Sequence, residues 1–76
     1  MNVYRSVVLA RNVEEDNDFE ETVYVGIELL DAVHEINVFV DRYPKLLIDG
    51  KFIEIWRDGT YIDSLRCDGN PFDYVN

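Results

Sequence analysis

The pair Asp58-Gly59 is the feature that most narrows the folds open to this chain. It separates two runs rich in β-branched and aromatic residues, FIEIWR and TYIDSLRC. Asp-Gly between two such runs is the strongest short-range signal for a β-hairpin, because a type I′ turn needs positive φ at both central residues. We therefore predict a hairpin of residues 51–57 and 60–67.

A two-residue turn also predicts which residues of the hairpin face each other. The predicted pairs are Phe52 with Leu65, Glu54 with Asp63, Ile55 with Ile62, and Trp56 with Tyr61. Like charges directly opposite each other destabilise a sheet, so the face with Glu54 and Asp63 should contact water. Ile53, Ile55 and Ile62 would then point into the core.

The water-exposed face of this hairpin should combine aromatic side chains with charge. The apolar side chains predicted there are Phe52, Trp56, Tyr61 and Leu65. Aromatic residues beside carboxylates are common at binding surfaces. The alternative is that the residues after the hairpin, which include Phe72, Tyr74 and Val75, fold back over this face.

The first half of the chain predicts two strands followed by a helix. Residues 2–10 and 21–27 are β-branched and alternate like strands. Residues 28–41 carry apolar side chains at steps of four, three and four, which is the spacing of an amphipathic helix. The residues of this stripe are Leu29, Val33, Ile36 and Val40. The alternation of INVFV, residues 36–40, leaves an extended segment open as the alternative there.

The second half completes the predicted fold. Pro44 should end the helix, because proline disfavours helical geometry in the residue before it. Asp49-Gly50 is predicted to turn a short LLI strand into the same sheet. The result is one domain of residues 1–76 with the order β-β-α-β-β, an α+β fold with an antiparallel sheet of about four strands and one helix on one face. A small all-β barrel is the alternative, because turns recur along the second half.

Net charge limits the classes of partner. The chain has sixteen acidic and seven basic residues, a formal net charge of -9. We therefore expect no direct binding to nucleic acid or to an anionic membrane, and we expect protein partners to be basic. The charge is also uneven: residues 1–41 have ten acids and two bases, and residues 42–76 have six acids and five bases.

The densest charge lies in VEEDNDFEE, residues 13–21. We predict that this stretch is a loop of about ten residues between two strands, longer than a usual hairpin connection. Its carboxylates are Glu14, Glu15, Asp16, Asp18, Glu20 and Glu21. They favour an acidic surface presented to a partner; the alternative is that they only keep the protein soluble.

A helix over residues 28–41 would add a second group of acids. Glu28, Asp31 and Glu35 would form a ridge on the side opposite the apolar stripe, with Phe39 near it. We predict that loop and ridge together bind the partner. The candidate partner-binding residues also include four from the hairpin, Glu54, Trp56, Tyr61 and Asp63.

No catalytic or metal-binding signature accompanies these acids. An EF-hand beginning at Glu14 would need glycine at the position of Phe19 and glutamate at the position of Val25. His34 is the only histidine, and a zincin motif would need a second one at the position of Val38. We therefore predict that the protein is not an enzyme and holds no cofactor or metal.

Cysteine content predicts a compartment. Cys67 is the only cysteine, so no intramolecular disulfide can form, as is usual in a reducing compartment. The sequence has no secretory leader pattern and no apolar run of about 20 residues. We expect a cytoplasmic protein.

The sequence is compatible with three functions. The favoured one is a small acidic protein that inhibits or regulates a basic, nucleic-acid-binding protein by imitating nucleic acid. Inhibitors that phages and plasmids direct against host nucleases and defence systems share this size and charge. The alternative is a structural or assembly module that forms a homodimer through the Trp56 face. An enzyme or a metal-dependent accessory domain is the least favoured.

Overall fold

The computed structural model describes residues 1–67, and these form one four-stranded sheet and one helix. In chain order the elements are β1 (Asn2–Asn12), β2 (Asn17–Gly26), α1 (Leu29–Arg42), β3 (Leu47–Arg57) and β4 (Thr60–Arg66). The strands lie in the order β2-β1-β3-β4, and all neighbouring strands are antiparallel. The predicted α+β fold is confirmed. The barrel alternative is wrong, because β2 and β4 are the outer strands of an open sheet and do not pair within residues 1–67.

α1 connects β2 to β3, and it packs mainly on β2 and β1. Residues 36–40 are helical, so the extended alternative for INVFV is wrong. The buried residues of the helix are Ala32, Val33 and Ile36, and Leu29 and Phe39 also pack against the core. The helix ends at Arg42, two residues before Pro44, as the proline predicts. None of the helical residues within 1–67 belongs to a helix long and apolar enough to cross a membrane.

The core lies between α1 and one face of the sheet. Val8 and Ile53 are completely buried on that face. Ser6 is also completely buried, and its hydroxyl donates a hydrogen bond of 2.6 Å to the carbonyl oxygen of Ala32. A buried hydroxyl needs such a partner, and this bond fixes α1 to β1.

The β3–β4 hairpin turns at Asp58-Gly59, as predicted. Asp58 has φ 50° and Gly59 has φ 80°, the two positive values of a type I′ turn. Trp56 lies opposite Tyr61, which confirms that predicted pair. Beyond it the register shifts by one residue, because Ile62 forms a β-bulge.

This bulge overturns the other predicted pairs. Ile53 faces Leu65, Glu54 faces Ser64, Ile55 faces Asp63 and Phe52 faces Arg66. Leu65 therefore packs against the core, whereas Ile62, predicted to be inside, is 49% exposed. The predicted opposition of Glu54 and Asp63 is wrong.

Asp49-Gly50 does not make the predicted turn. β3 runs without interruption from Leu47 to Arg57, and Asp49 is the extra residue of a bulge. Gly50 lies opposite Leu9, and the next residue of β1 lies opposite Ile48. The predicted return of Phe72, Tyr74 and Val75 over the hairpin lies outside the described residues.

Candidate partner-binding surface

The predicted acidic loop is mostly strand. β1 extends to Asn12 and β2 begins at Asn17, so only residues 13–16 form the turn. The prediction of a connection of about ten residues is therefore wrong. Three of the six carboxylates belong to β2, namely Asp18, Glu20 and Glu21.

The β1–β2 turn carries the other three carboxylates, and hydrogen bonds hold its backbone. The side-chain oxygen of Asn12 accepts hydrogen bonds from the backbone N–H groups of Glu14 and Glu15, at 3.1 and 3.2 Å. Asp16 has φ 52° and pairs with Arg11. Glu14 and Glu15 are exposed, so their carboxylates project into solvent from this turn.

β2 presents carboxylates on both of its faces. Asp18 and Glu20 lie on the face away from α1, where Glu20 is 4.0 Å from the guanidinium of Arg5. Glu21 lies on the α1 face, because it is the partner of Val8 in the core. Since side chains alternate along a strand, one acidic stretch supplies charge to both sides of the sheet.

The acidic ridge of α1 lies on the side of the helix that faces β2. Asp31, Glu35, Val38 and Arg42 follow each other at steps of four, three and four, so they share one flank. Glu35, Val38 and Arg42 line a groove together with residues of β2. Glu28 is the N-cap residue of α1 and lies just before the first residue of the helix.

This β2–α1 groove has a volume of about 220 Å³. Its lining residues are Glu21, Thr22, Val23, Glu35, Val38, Phe39, Arg42 and Tyr43. The rings of Phe39 and Tyr43 have centroids 4.9 Å apart, and they give the groove an aromatic wall. Glu21 and Glu35 thus lie beside this aromatic wall, in a groove whose exposed lining is more polar than apolar.

Two further recesses adjoin the groove at Tyr43. One, of about 310 Å³, also contains Phe19 and Leu46. The other, of about 410 Å³, is bordered by the β1–β2 turn and by Pro44 and Lys45. Tyr43 was not predicted as a site residue, because its only signal in the sequence is its position directly before Pro44.

Few of these acids are neutralised by ion pairs. Among the described residues, ion pairs join Arg11 to Asp16, and Arg5 to both Glu20 and Glu54. The carboxylates along β2, its turn and α1 without an ion pair in that part of the chain are Glu14, Glu15, Asp18, Glu21, Glu28, Asp31, Glu35 and Asp41. Asp41 does not share the flank of Asp31 and Glu35, because it follows them by ten and six residues on the helix. The structure therefore gathers a largely uncompensated charge beside one edge of the sheet.

The hairpin residues form a separate surface. Trp56 and Tyr61 lie on the open face away from α1, with ring centroids 5.6 Å apart in an edge-to-face arrangement. A recess of about 260 Å³ lies beside Trp56 between Val3 and Val25. Asp63 is not part of this face, because the bulge places it opposite Ile55.

Glu54 anchors this second surface. One of its carboxylate oxygens accepts hydrogen bonds from Arg5 Nη1 at 2.8 Å and from Trp56 Nε1 at 3.1 Å. Burial of the carboxyl group acts to raise its pKa, but these two bonds and the charge of Arg5 outweigh burial. The pKa of Glu54 is therefore below its usual value of 4.5. Arg5 of β1, which was not predicted as a site residue, pairs with both Glu54 of β3 and Glu20 of β2.

Within residues 1–67 no three His, Cys, Asp or Glu side chains are grouped in a way that could hold a metal ion. Cys67 is buried, and burial raises the pKa of its thiol despite the nearby charge of Lys51. Comparisons with protein-family models, with curated proteins and with solved structures found no match.

Proposed function

We propose that the protein binds a basic protein partner through its acidic β2–α1 side and inhibits or regulates that partner by covering a nucleic-acid-binding surface. The observation that carries this proposal is the convergence of carboxylates from the turn, β2 and α1 along one side of the molecule. Most of them have no ion pair among the described residues. The groove between β2 and α1 gives this charged surface an aromatic wall.

The arrangement suits a protein that imitates nucleic acid. Asp31 and Glu35 are one helical turn apart, about 6 Å along the axis, so they repeat negative charge at intervals of a few ångströms as a phosphate backbone does. Such a surface accelerates encounter with a basic groove, and its association weakens as salt screens the charges. The presence of a single cysteine, Cys67, suits action in a reducing compartment, which we take to be the cytoplasm.

The test compares two variants that change net charge equally. Glu21→Lys with Asp31→Lys alters one strand residue and one helix residue on the acidic side. The control is Asp41→Lys with Asp49→Lys, which alters one residue of α1 and one of β3 that do not line the β2–α1 groove. All four carboxylates are exposed, so both variants should fold.

Affinity capture from the source cells with the wild-type protein supplies the partner for this comparison. We expect the partner to be a basic nucleic-acid-binding protein that the wild type and the control variant bind and the Glu21/Asp31 variant does not. Wild-type binding should weaken steeply with salt, and added nucleic acid should compete for the partner. Equal affinity of the two variants, or affinity that is independent of salt, would contradict the proposal.

A second candidate function is assembly through the open face of the hairpin. It is favoured by the recess beside Trp56, whose exposed lining is apolar, and by the 64% exposure of Val25 at its border. Sedimentation of the wild type and of Trp56→Ala tests this: a dimer that the substitution dissociates supports assembly, and a wild-type monomer contradicts it.

A further inference from the structure

β2 is an outer strand of the sheet, and one of its edges is unpaired in the part of the chain that the structure describes. Among residues 1–67 it pairs with β1 only, so half of its backbone N–H and C=O groups face away from the sheet. Strand edges of this kind accept an additional strand from another chain through backbone hydrogen bonds. β2 has ten residues, which is long enough for such pairing.

The β2–α1 groove lies beside this edge on the helix side. A strand added to β2 would place every second side chain toward α1, where Val38, Phe39 and Tyr43 offer apolar surface. Glu21, Glu35 and Arg42 border the same groove, so it holds two carboxylates and one guanidinium group. A lysine or arginine fits these surroundings, because its aliphatic part can contact the aromatic wall while its charge reaches a carboxylate.

The other face of the edge is acidic as well. Side chains of an added strand that point away from α1 would lie beside Asp18 and Glu20. A second copy of this chain is therefore a poor occupant, since two β2 strands would bring carboxylates opposite carboxylates. Charge complementarity selects a lysine- or arginine-rich strand.

We propose that the occupant of this edge is an extended basic segment of the partner, which pairs with β2 as a fifth strand and inserts alternate side chains into the β2–α1 groove. This inference rests on the proposed function, for which it names the mode of binding. Strand addition differs from a purely electrostatic contact in one respect. The backbone of the partner segment donates and accepts hydrogen bonds along one of its edges.

Backbone methylation of a synthetic peptide tests that difference. The probe is a fluorescent peptide of alternating lysine and valine, about six residues long, as strands usually are. Two further versions carry N-methyl groups on alternate residues, one version on each edge of the extended peptide. All three have the same charge, so their binding, measured by fluorescence anisotropy, differs only if the backbone takes part.

We expect the unmethylated peptide to bind, and one methylated version to bind about tenfold more weakly or worse because two or more hydrogen bonds are lost. The version methylated on the other edge should bind like the unmethylated peptide. Amide hydrogen exchange in β2 should slow when peptide is added. Equal binding of both methylated versions would refute strand addition while leaving the electrostatic function intact.

Variants of the groove provide an independent check. Val38→Arg adds bulk and positive charge inside the groove, whereas His34→Arg adds the same residue at an exposed position on another part of α1. We expect Val38→Arg to weaken the peptide about tenfold, and His34→Arg to weaken it much less. Failure of the peptide to bind at all would refute strand addition, and partner capture with the Glu21/Asp31 variant would then decide the proposed function separately. An alternative is that the carboxylates beside β2 only prevent two copies of the chain from pairing through this edge. In that case the Glu21→Lys/Asp31→Lys variant will dimerise and the peptide will not bind the wild type.

Discussion

Gly26 leaves room for a tyrosine ring that binds the start of α1. The ring of Tyr24 lies across Gly26, where an added Cβ would be 2.6 Å from the ring carbon Cζ. The Tyr24 hydroxyl oxygen accepts a hydrogen bond of 3.2 Å from the backbone N–H of Glu28. Glu28 is the N-cap residue and makes no side-chain capping bond, so Tyr24 satisfies a donor that the helix start would otherwise leave open.

We expect Gly26→Ala to lower the free energy of unfolding by about 1–2 kcal/mol, because it displaces the ring and the capping bond with it. Urea denaturation measures the change. The control is the same substitution in a Tyr24→Ala background, where the ring is absent. There alanine should stabilise the protein, since it loses less conformational entropy than glycine on folding. Destabilisation of equal size in both backgrounds would show that the ring is not the cause.

Glu54 should make stability depend on pH. Its pKa is lowered in the folded protein, so the ionised carboxylate stabilises the fold at pH values above its usual pKa of 4.5, which applies in the unfolded chain. That contribution disappears as pH falls through the lower, folded pKa. We therefore expect Glu54→Gln to be less stable than the wild type near neutral pH, and the difference to shrink as the solution is acidified below about pH 4.

Trp56 gives this prediction a direct readout, since it is the only tryptophan and its Nε1 donates to Glu54. Its fluorescence should change with the protonation of Glu54 in the wild type, and this step should be missing in Glu54→Gln. Glu20→Gln is the control, because Glu20 is more exposed and lies 4.0 Å from the same arginine. A constant difference in stability between wild type and Glu54→Gln at all pH values would contradict the prediction.

Among the elements, the β3–β4 turn depends on backbone conformation and not on packing. Gly59 has φ 80°, and nothing lies within 4 Å of the place where its Cβ would be. We expect Gly59→Val to destabilise the protein by about 1–3 kcal/mol, through backbone strain alone. Asp58→Gly is the matched control at the neighbouring positive φ and should change stability much less. Urea midpoints that are the same for Gly59→Val and the wild type would contradict the strained turn.

The elements also show where sequence reasoning succeeds and where it fails. The turn at Asp58-Gly59 and the helix over residues 28–41 were predictable, because each depends on a local signal of composition or spacing. The bulges at Ile62 and Asp49 were not, since the register of a strand depends on its partner and on what its face contacts. One extra residue at Ile62 is enough to exchange the predicted positions of Ile62 and Leu65.

The beginning of β2 escaped prediction for a different reason. Asp18, Glu20 and Glu21 are exposed on both faces of an outer strand, so they lack the apolar alternation by which a half-buried strand is recognised. The acids were therefore assigned to a loop, and the candidate site was proposed from its charge, without the groove beside it. The groove with Tyr43 could not be predicted, because it exists only when α1 packs beside β2.

At the scale of the whole molecule, the acidic side should reduce stability. A net charge of -9 on a small domain repels itself, and the effect is strongest where carboxylates are gathered without cations. The Glu21→Lys/Asp31→Lys variant relieves this repulsion where it is concentrated, whereas the Asp41→Lys/Asp49→Lys variant relieves it elsewhere. We expect the first variant to have the higher melting temperature at low ionic strength. At about 1 M salt, where charges are screened within roughly 3 Å, the two melting temperatures should become equal.

The melting temperatures of the two variants test whether the acids bind a partner or only keep the protein soluble. If the acids of β2 and α1 bind a partner, the Glu21→Lys/Asp31→Lys variant should lose that partner and also gain stability. Both differences from the wild type should become smaller as salt is added. Thermal unfolding followed by circular dichroism at low and high salt measures the stability term with no partner present. Equal melting temperatures of the two variants at low salt would show that the carboxylates beside β2 repel each other no more than those elsewhere. The electrostatic concentration on which the proposed function depends would then be too weak to select a basic partner.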